Sequence, residues 1–228
     1  MSGVVEKVRS RGYWETSIRP EPYIKDRVAY ESLDDLLLKA TVRLRGWPVP
    51  YIHPGEYELG EHWIGADVDA STVDLYEAWR FFQSGQFNHL RVISADWETY
   101  KGRTPVPAGF NAVVEVWEIL YYLTEVFELA ARLSLTDAGD REMTVSVTLS
   151  GLRNRALEMG YPHYEVSGFM APHKTDAAQL SKSETIEREQ LVGETRELAV
   201  EWARHFFVRF GWKPEAHLLS QLQRKLES

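Results

Sequence analysis

No stretch narrows the possible folds as much as the one from Asp74 to Asp96, where two runs of aromatic and β-branched residues flank Ser84, Gly85 and Gln86. That is the pattern of two antiparallel strands joined by a tight turn, with glycine supplying the positive φ the turn needs. A period of two predicts Glu77, Trp79 and Phe81 on one face of the first strand and Tyr76, Ala78, Arg80 and Phe82 on the other. In the second strand Phe87, His89, Arg91 and Ile93 share a face, and Leu90 and Val92 point the other way. Large rings on both sides predict a strand inside its sheet, covered on both faces.

Around this hairpin the other segments read as strands and helices in an order that is not alternating. Gly12 to Arg19 alternates as a strand, expected to halt at Arg19-Pro20-Glu21-Pro22 and to lie at an edge. Ser32 and Asp35 resemble a capping box opening a short helix with Leu33, Leu36, Leu37 and Ala40 on one side. Val42 and Leu44 predict a strand leaving through Gly46, Trp47 and Pro48, and Trp63 and Ile64 a further short one. Ala112 to Leu135 is the strongest helical pattern, with Val113, Val116, Leu120, Leu123 and Phe127 close to a 3.6 period. Met143, Val145, Val147 and Leu149 alternate as the cleanest strand, followed by strands through Ala156 and Leu157, Tyr164 to Val166, and Ile186. Thr195 is expected to cap a helix running to about Phe210, and Pro214 to start a last one. The expected fold is α+β, a mainly antiparallel sheet with helices packed on one face, in a single compact domain spanning 1–228. Residues 213–228 form an amphipathic helix whose Leu218, Leu219, Leu222 and Leu226 dock either on the body or on a partner, and so are candidates for a protein interface.

Composition excludes several chemistries. Among 228 residues there is no cysteine, which removes disulfides, thiolate metal sites and a cysteine nucleophile. A formal charge of −8 opposes general attraction to nucleic acid or anionic membrane. No apolar run approaches the roughly 18 residues of a membrane span, and the first residues lack a signal peptide's apolar core, so a cytoplasmic protein without a membrane partner is expected. Hydrolase elbows, dinucleotide and phosphate-binding glycine loops, zinc-protease and kinase signatures are all missing. The seven histidines are not in metal-ligand spacing, and Asp67, Asp69 and Asp74 lack a calcium loop's central glycine, so neither a metal nor a cofactor is expected and no catalytic residue is named.

What remains is a surface chemistry of cations among rings. Arg43, Arg45, Trp47, Arg80, His89 and Arg91 are candidates for a ligand site, since guanidinium groups hold anions and rings stack on bases. Lys101 and Arg103 sit beside Gly102 in a proline-punctuated loop without phosphate-loop spacing. Glu115, Glu118, Tyr122 and Glu125 recur on one face of the long helix and are expected to face solvent. His205 is expected to be a partly buried helical histidine. With eight tryptophans, the first functional expectation is a non-catalytic interaction or sensor module acting through aromatic-rich surfaces, by self-association or with a protein partner. The alternatives are nucleic-acid or nucleotide binding through the six candidates, and a hydrolase drawing on His89, Asp96, Glu98 and Glu118.

Overall fold

The computed structural model describes residues 3–53, 57–97, 104–160, 169 and 172–227, with Leu226 and Glu227 described by their backbone only. The expected strand at Tyr164 to Val166, together with Glu98, Lys101 and Arg103, lies outside the described residues.

In chain order the elements are α1 (Gly3–Arg9), β1 (Tyr13–Glu21), α2 (Leu33–Ala40), β2 (Glu58–Leu59), β3 (Trp63–Ala70), β4 (Leu75–Phe82), β5 (Phe87–Val92) and β6 (Ala112–Glu115). They continue with α3 (Val116–Ser134), β7 (Glu142–Ser150), β8 (Arg155–Glu158), β9 (His173–Lys174), β10 (Gln179–Glu187), α4 (Arg188–Gly193), α5 (Thr195–Arg209) and α6 (Ala216–Gln223). Seven strands form an antiparallel sheet in the order β10, β7, β1, β5, β4, β3, β2, and β6, β8 and β9 make a smaller one in which β6 and β8 run parallel. The fold is α+β.

The hairpin of β4 and β5 forms in the register that period two demands, with Glu77 opposite Arg91, Trp79 opposite His89 and Phe81 opposite Phe87. Its turn needs Gly85, which has φ +80 and lies so close to Ala138 that a Cβ would come within 2.0 Å of the Ala138 carbonyl oxygen. On one face of the sheet Trp14, Ile18, Trp79, Phe81, Phe87, Val145 and Val147 are buried beneath α2, α3 and α5. Trp14 meets Phe206 of α5 edge-on at 6.2 Å, and Phe127 of α3 meets Trp202 at 5.0 Å. On the opposite face α1 lies over β3, β4 and β5 and buries Val8 against Tyr76 and Val92.

Several expected boundaries shift, each for a physical reason. β1 is interior, between β5 and β7, and continues through Pro20. Beyond Ile18 only β7 still pairs with it, so the proline sits where one side of the strand is open and its missing N–H does no harm. Ser32 adopts helical dihedrals and makes no side-chain cap bond, so the capping box does not form. Val42 and Val49 make one isolated bridge instead of a strand, because the chain turns at Gly46 (φ +87) and Arg45 is drawn inward. The helix expected from Ala112 starts at Val116; Ala112 to Glu115 are taken by the parallel ladder with β8. Thr195 is the first helical residue of α5, and its hydroxyl bonds back to the Leu191 carbonyl.

An ion pair ties the two sheets. Arg155 at the start of β8 donates two bonds of 2.7 Å to the two oxygens of Asp96, just past β5, and a third to the Val113 carbonyl. Asp96 also accepts the Gly12 amide at 2.9 Å, and a Cβ on Gly12 would lie 2.4 Å from the arginine. Both charged side chains are buried, where a two-bond geometry is what makes such a pair tolerable.

A candidate ligand cleft on a buried charge network

Burial of Glu77, His89 and Arg91 follows from their place on the hairpin face that looks into the core. The face of α3 that meets them carries Glu118, Tyr122 and Glu125, all buried, as is Glu115. The expectation that these carboxylates face solvent is therefore corrected. They lie inward because cations reach them from distant segments. Arg45 donates Nε and Nη2 to the two oxygens of Glu125, at 2.7 and 2.5 Å, and Arg91 Nη1 stands 3.7 Å from the same carboxylate. Only Glu128, one turn along, fits the surface pairing, with Arg132 at 3.9 Å.

The network continues under the sheet. His89 Nε2 is 3.4 Å from Glu77 Oε2, within ion-pair reach without hydrogen-bond alignment, and its Nδ1 lies 3.2 Å from the Tyr122 hydroxyl, which is 3.0 Å from that of Thr16. Burial pushes the Glu77 carboxyl up, but His89, then Arg91 and the Tyr51 amide, outweigh it and hold the group below the usual carboxylate range. For Glu118 burial wins: its carboxyl is pushed above the usual range although the Ser94 amide donates to Oε1 at 2.8 Å and both arginines are near. Burial also raises the Tyr122 hydroxyl. Burial works against the charge on Arg45, yet Glu125 more than offsets it and the guanidinium is raised.

Above this network opens a cleft of about 310 Å³ lined by Arg45, Trp47 and Tyr51 from the loop after α2, Val73, Asp74 and Leu75 between β3 and β4, Arg91 and Ser94 at the end of β5, and Trp117 in the first turn of α3. Three of the six residues singled out from sequence, Arg45, Trp47 and Arg91, thus meet in one place. Trp47 is 42% exposed, with the Arg45 guanidinium 5.3 Å from its ring centre. Arg91 Nη1 is buried without a hydrogen-bond partner among the described residues. Such a donor normally finds one.

The other three lie elsewhere. Arg43 is exposed and does not line the cleft. Arg80 is on the opposite face, 4.6 Å from the Trp63 ring centre and paired with Glu58 and Asp67 at 2.9 and 2.8 Å. His89 is sealed beneath the network, 2% exposed. Of the carboxylates named with His89 from sequence, Asp96 is held by Arg155 and Glu118 by the Ser94 amide; the carboxylate that stands beside the ring is Glu77. Tyr51, Ser94 and Trp117 had no signal in sequence spacing; only the fold brings them to Arg45 and Arg91.

The leucine face of the last helix is not free. Leu219 and Leu222 are in the core, Leu218 packs against it, and Gln223 donates to Thr124 of α3 at 2.8 Å. The helix docks on the body, one of the two alternatives that the sequence left open; the Leu226 side chain lies outside the described residues. His205 is half-buried, and burial followed by the charges of Arg209 and Lys182 lowers its pKa. Among the described residues no group of three or more His, Asp or Glu side chains is placed to hold a metal, and no helix is long and apolar enough to cross a membrane. Comparison with protein-family models, with curated proteins and with solved structures finds no match.

Proposed function

We propose that the protein is a non-catalytic sensor module that binds a small planar anion, a ring bearing a carboxylate or phosphate, in the cleft between Trp47 and Trp117. The observation that carries this reading is Arg91 at a cleft walled by aromatic rings, its Nη1 buried 3.7 Å from Glu125 and without a hydrogen bond among the described residues. A guanidinium so placed offers directed bonds to an anion's oxygens, and the rings offer a stacking surface for its flat body. The volume, about 310 Å³, is at the low end of the roughly 300–1,000 Å³ typical of small-molecule sites, which suits one ring system and not a polymer. A net charge of −8 speaks against a nucleic-acid track.

The test is calorimetric titration with benzoate and adenosine monophosphate, each beside its neutral counterpart, benzamide and adenosine. Saturable binding at about 1 mM or tighter is expected for at least one anion, at least tenfold weaker for its neutral counterpart, and weakened several-fold by Trp47→Ala. Equal affinity for charged and neutral members of a pair, or no binding of either anion, overturns the proposal.

A further inference from the structure

The seven-stranded sheet ends differently on its two sides. On one side β2 has two residues; on the other β10 has nine, in unbroken register with β7 from Gln179 opposite Ser150 to Glu187 opposite Glu142. Among the described residues β10 has a ladder partner on that one side only. It carries no proline or bulge, two of the usual means of stopping a long edge from pairing further, and its charges, Lys182, Glu184 and Glu187, are of both signs. What it carries is a sequence complementary to itself.

We propose that β10 is the contact through which two copies of this chain join, antiparallel about a twofold axis at Ser183, into one continuous sheet. In that register Ser183 faces Ser183 of the second copy, Lys182 faces Glu184, Ser181 faces Thr185, and Leu180 faces Ile186. The neutral pairs are like with like in polarity and the charged pair, Lys182 with Glu184, is of opposite sign, which is what stabilises directly opposed residues on neighbouring strands. Sliding by two residues either way, the smallest shift that keeps both helix layers on the same side, sets Lys182 against Lys182 or Glu184 against Glu184. The charges therefore select one register and reject its neighbours.

The outer face agrees with this arrangement. Thr148 and Ser181 hydroxyls are 2.9 Å apart, Ser146 and Ser183 2.6 Å, and Thr144 and Thr185 2.8 Å, so hydroxyl rows already cross from β7 to β10. In the joined sheet those rows continue into the second copy without a change of chemistry. On the helix side Lys182 lies over Trp202 at 4.7 Å and reaches both Glu184 and Glu201, which keeps a cation at the edge where Glu184 of the other copy arrives. A second copy supplies all of these complements; an unrelated strand would have to match them by chance.

Because the chain has no cysteine, Ser183→Cys introduces a single thiol. Opposed residues on antiparallel strands have Cα atoms about 4.5–5.5 Å apart, inside the range of a disulfide. Mild oxidation is expected to cross-link Ser183→Cys to completion as a dimer, while Gln179→Cys, whose copy lies about eight residues away along the edge at about 3.4 Å each, stays uncross-linked. In light scattering the native protein is expected to have twice the chain mass. Lys182→Glu and Glu184→Lys, each checked as folded by circular dichroism, are monomeric alone and form a mixed dimer when combined, since their opposed charges then match. A native protein of single-chain mass, equal cross-linking at both cysteine positions, or no mixed dimer overturns the proposal.

Discussion

Glu77 shows how a single buried side chain ties stability to pH. Its carboxyl is 1% exposed, faces His89 and accepts the Tyr51 amide at 2.6 Å, and its folded pKa lies below the ordinary glutamate value of about 4.3. A lowered folded pKa means that the stabilisation is present above the unfolded value and is lost as pH falls through the folded one. Glu77→Gln is therefore expected to unfold less steeply with acid, measured as urea midpoints between neutral pH and the acid limb; an unchanged slope would sink the assignment. Glu118 has the opposite sign: its raised pKa gives a contribution complete below the ordinary value and lost as pH rises, so Glu118→Gln is expected to gain on the native protein toward high pH in the same series. Little of this was legible in the sequence. Spacing placed Glu118, Tyr122 and Glu125 on one face of a helix, but whether a face is wet depends on what crosses it, and Arg45 comes from 80 residues before Glu125.

At the level of elements, periodicity was a good guide wherever partners are adjacent in the chain and a poor one elsewhere. The β4 and β5 hairpin, β7 and α5 could be read directly, because alternation or a 3.6 repeat follows from the face each buries. Ala112 to Glu115 suit a helix equally well, and only β8, further along the chain, makes them a strand. The last helix was ambiguous for the same reason: an apolar stripe does not say what covers it. Since Leu219 is fully buried against the body, Leu219→Ala is expected to cost about 2–5 kcal/mol in chemical denaturation, whereas Val208→Ala, on an exposed position of α5, should stay within about 0.5 kcal/mol. Similar losses at both positions would contradict the docked helix.

For the molecule as a whole, the joint between the two sheets is as telling as either sheet. Asp96 and Arg155 are about 5% exposed, while Lys7 and Asp69, which pin α1 to β3, are 32% and 45% exposed. Salt at about 1 M shortens the screening distance to about 3 Å and reaches exposed charges far more than buried ones. Hydrogen exchange in high salt is expected to speed up at α1 and to leave β8 unchanged; faster exchange at β8 would show the joint to be surface-like. The joint has a neighbour that gives it meaning. Arg91, Ser94 and Asp96 lie within one short stretch at the exit of β5, the first two lining the cleft and the third gripping β8. On the proposed function, one short segment would then couple a ligand on Arg91 to the grip that Asp96 has on the small sheet.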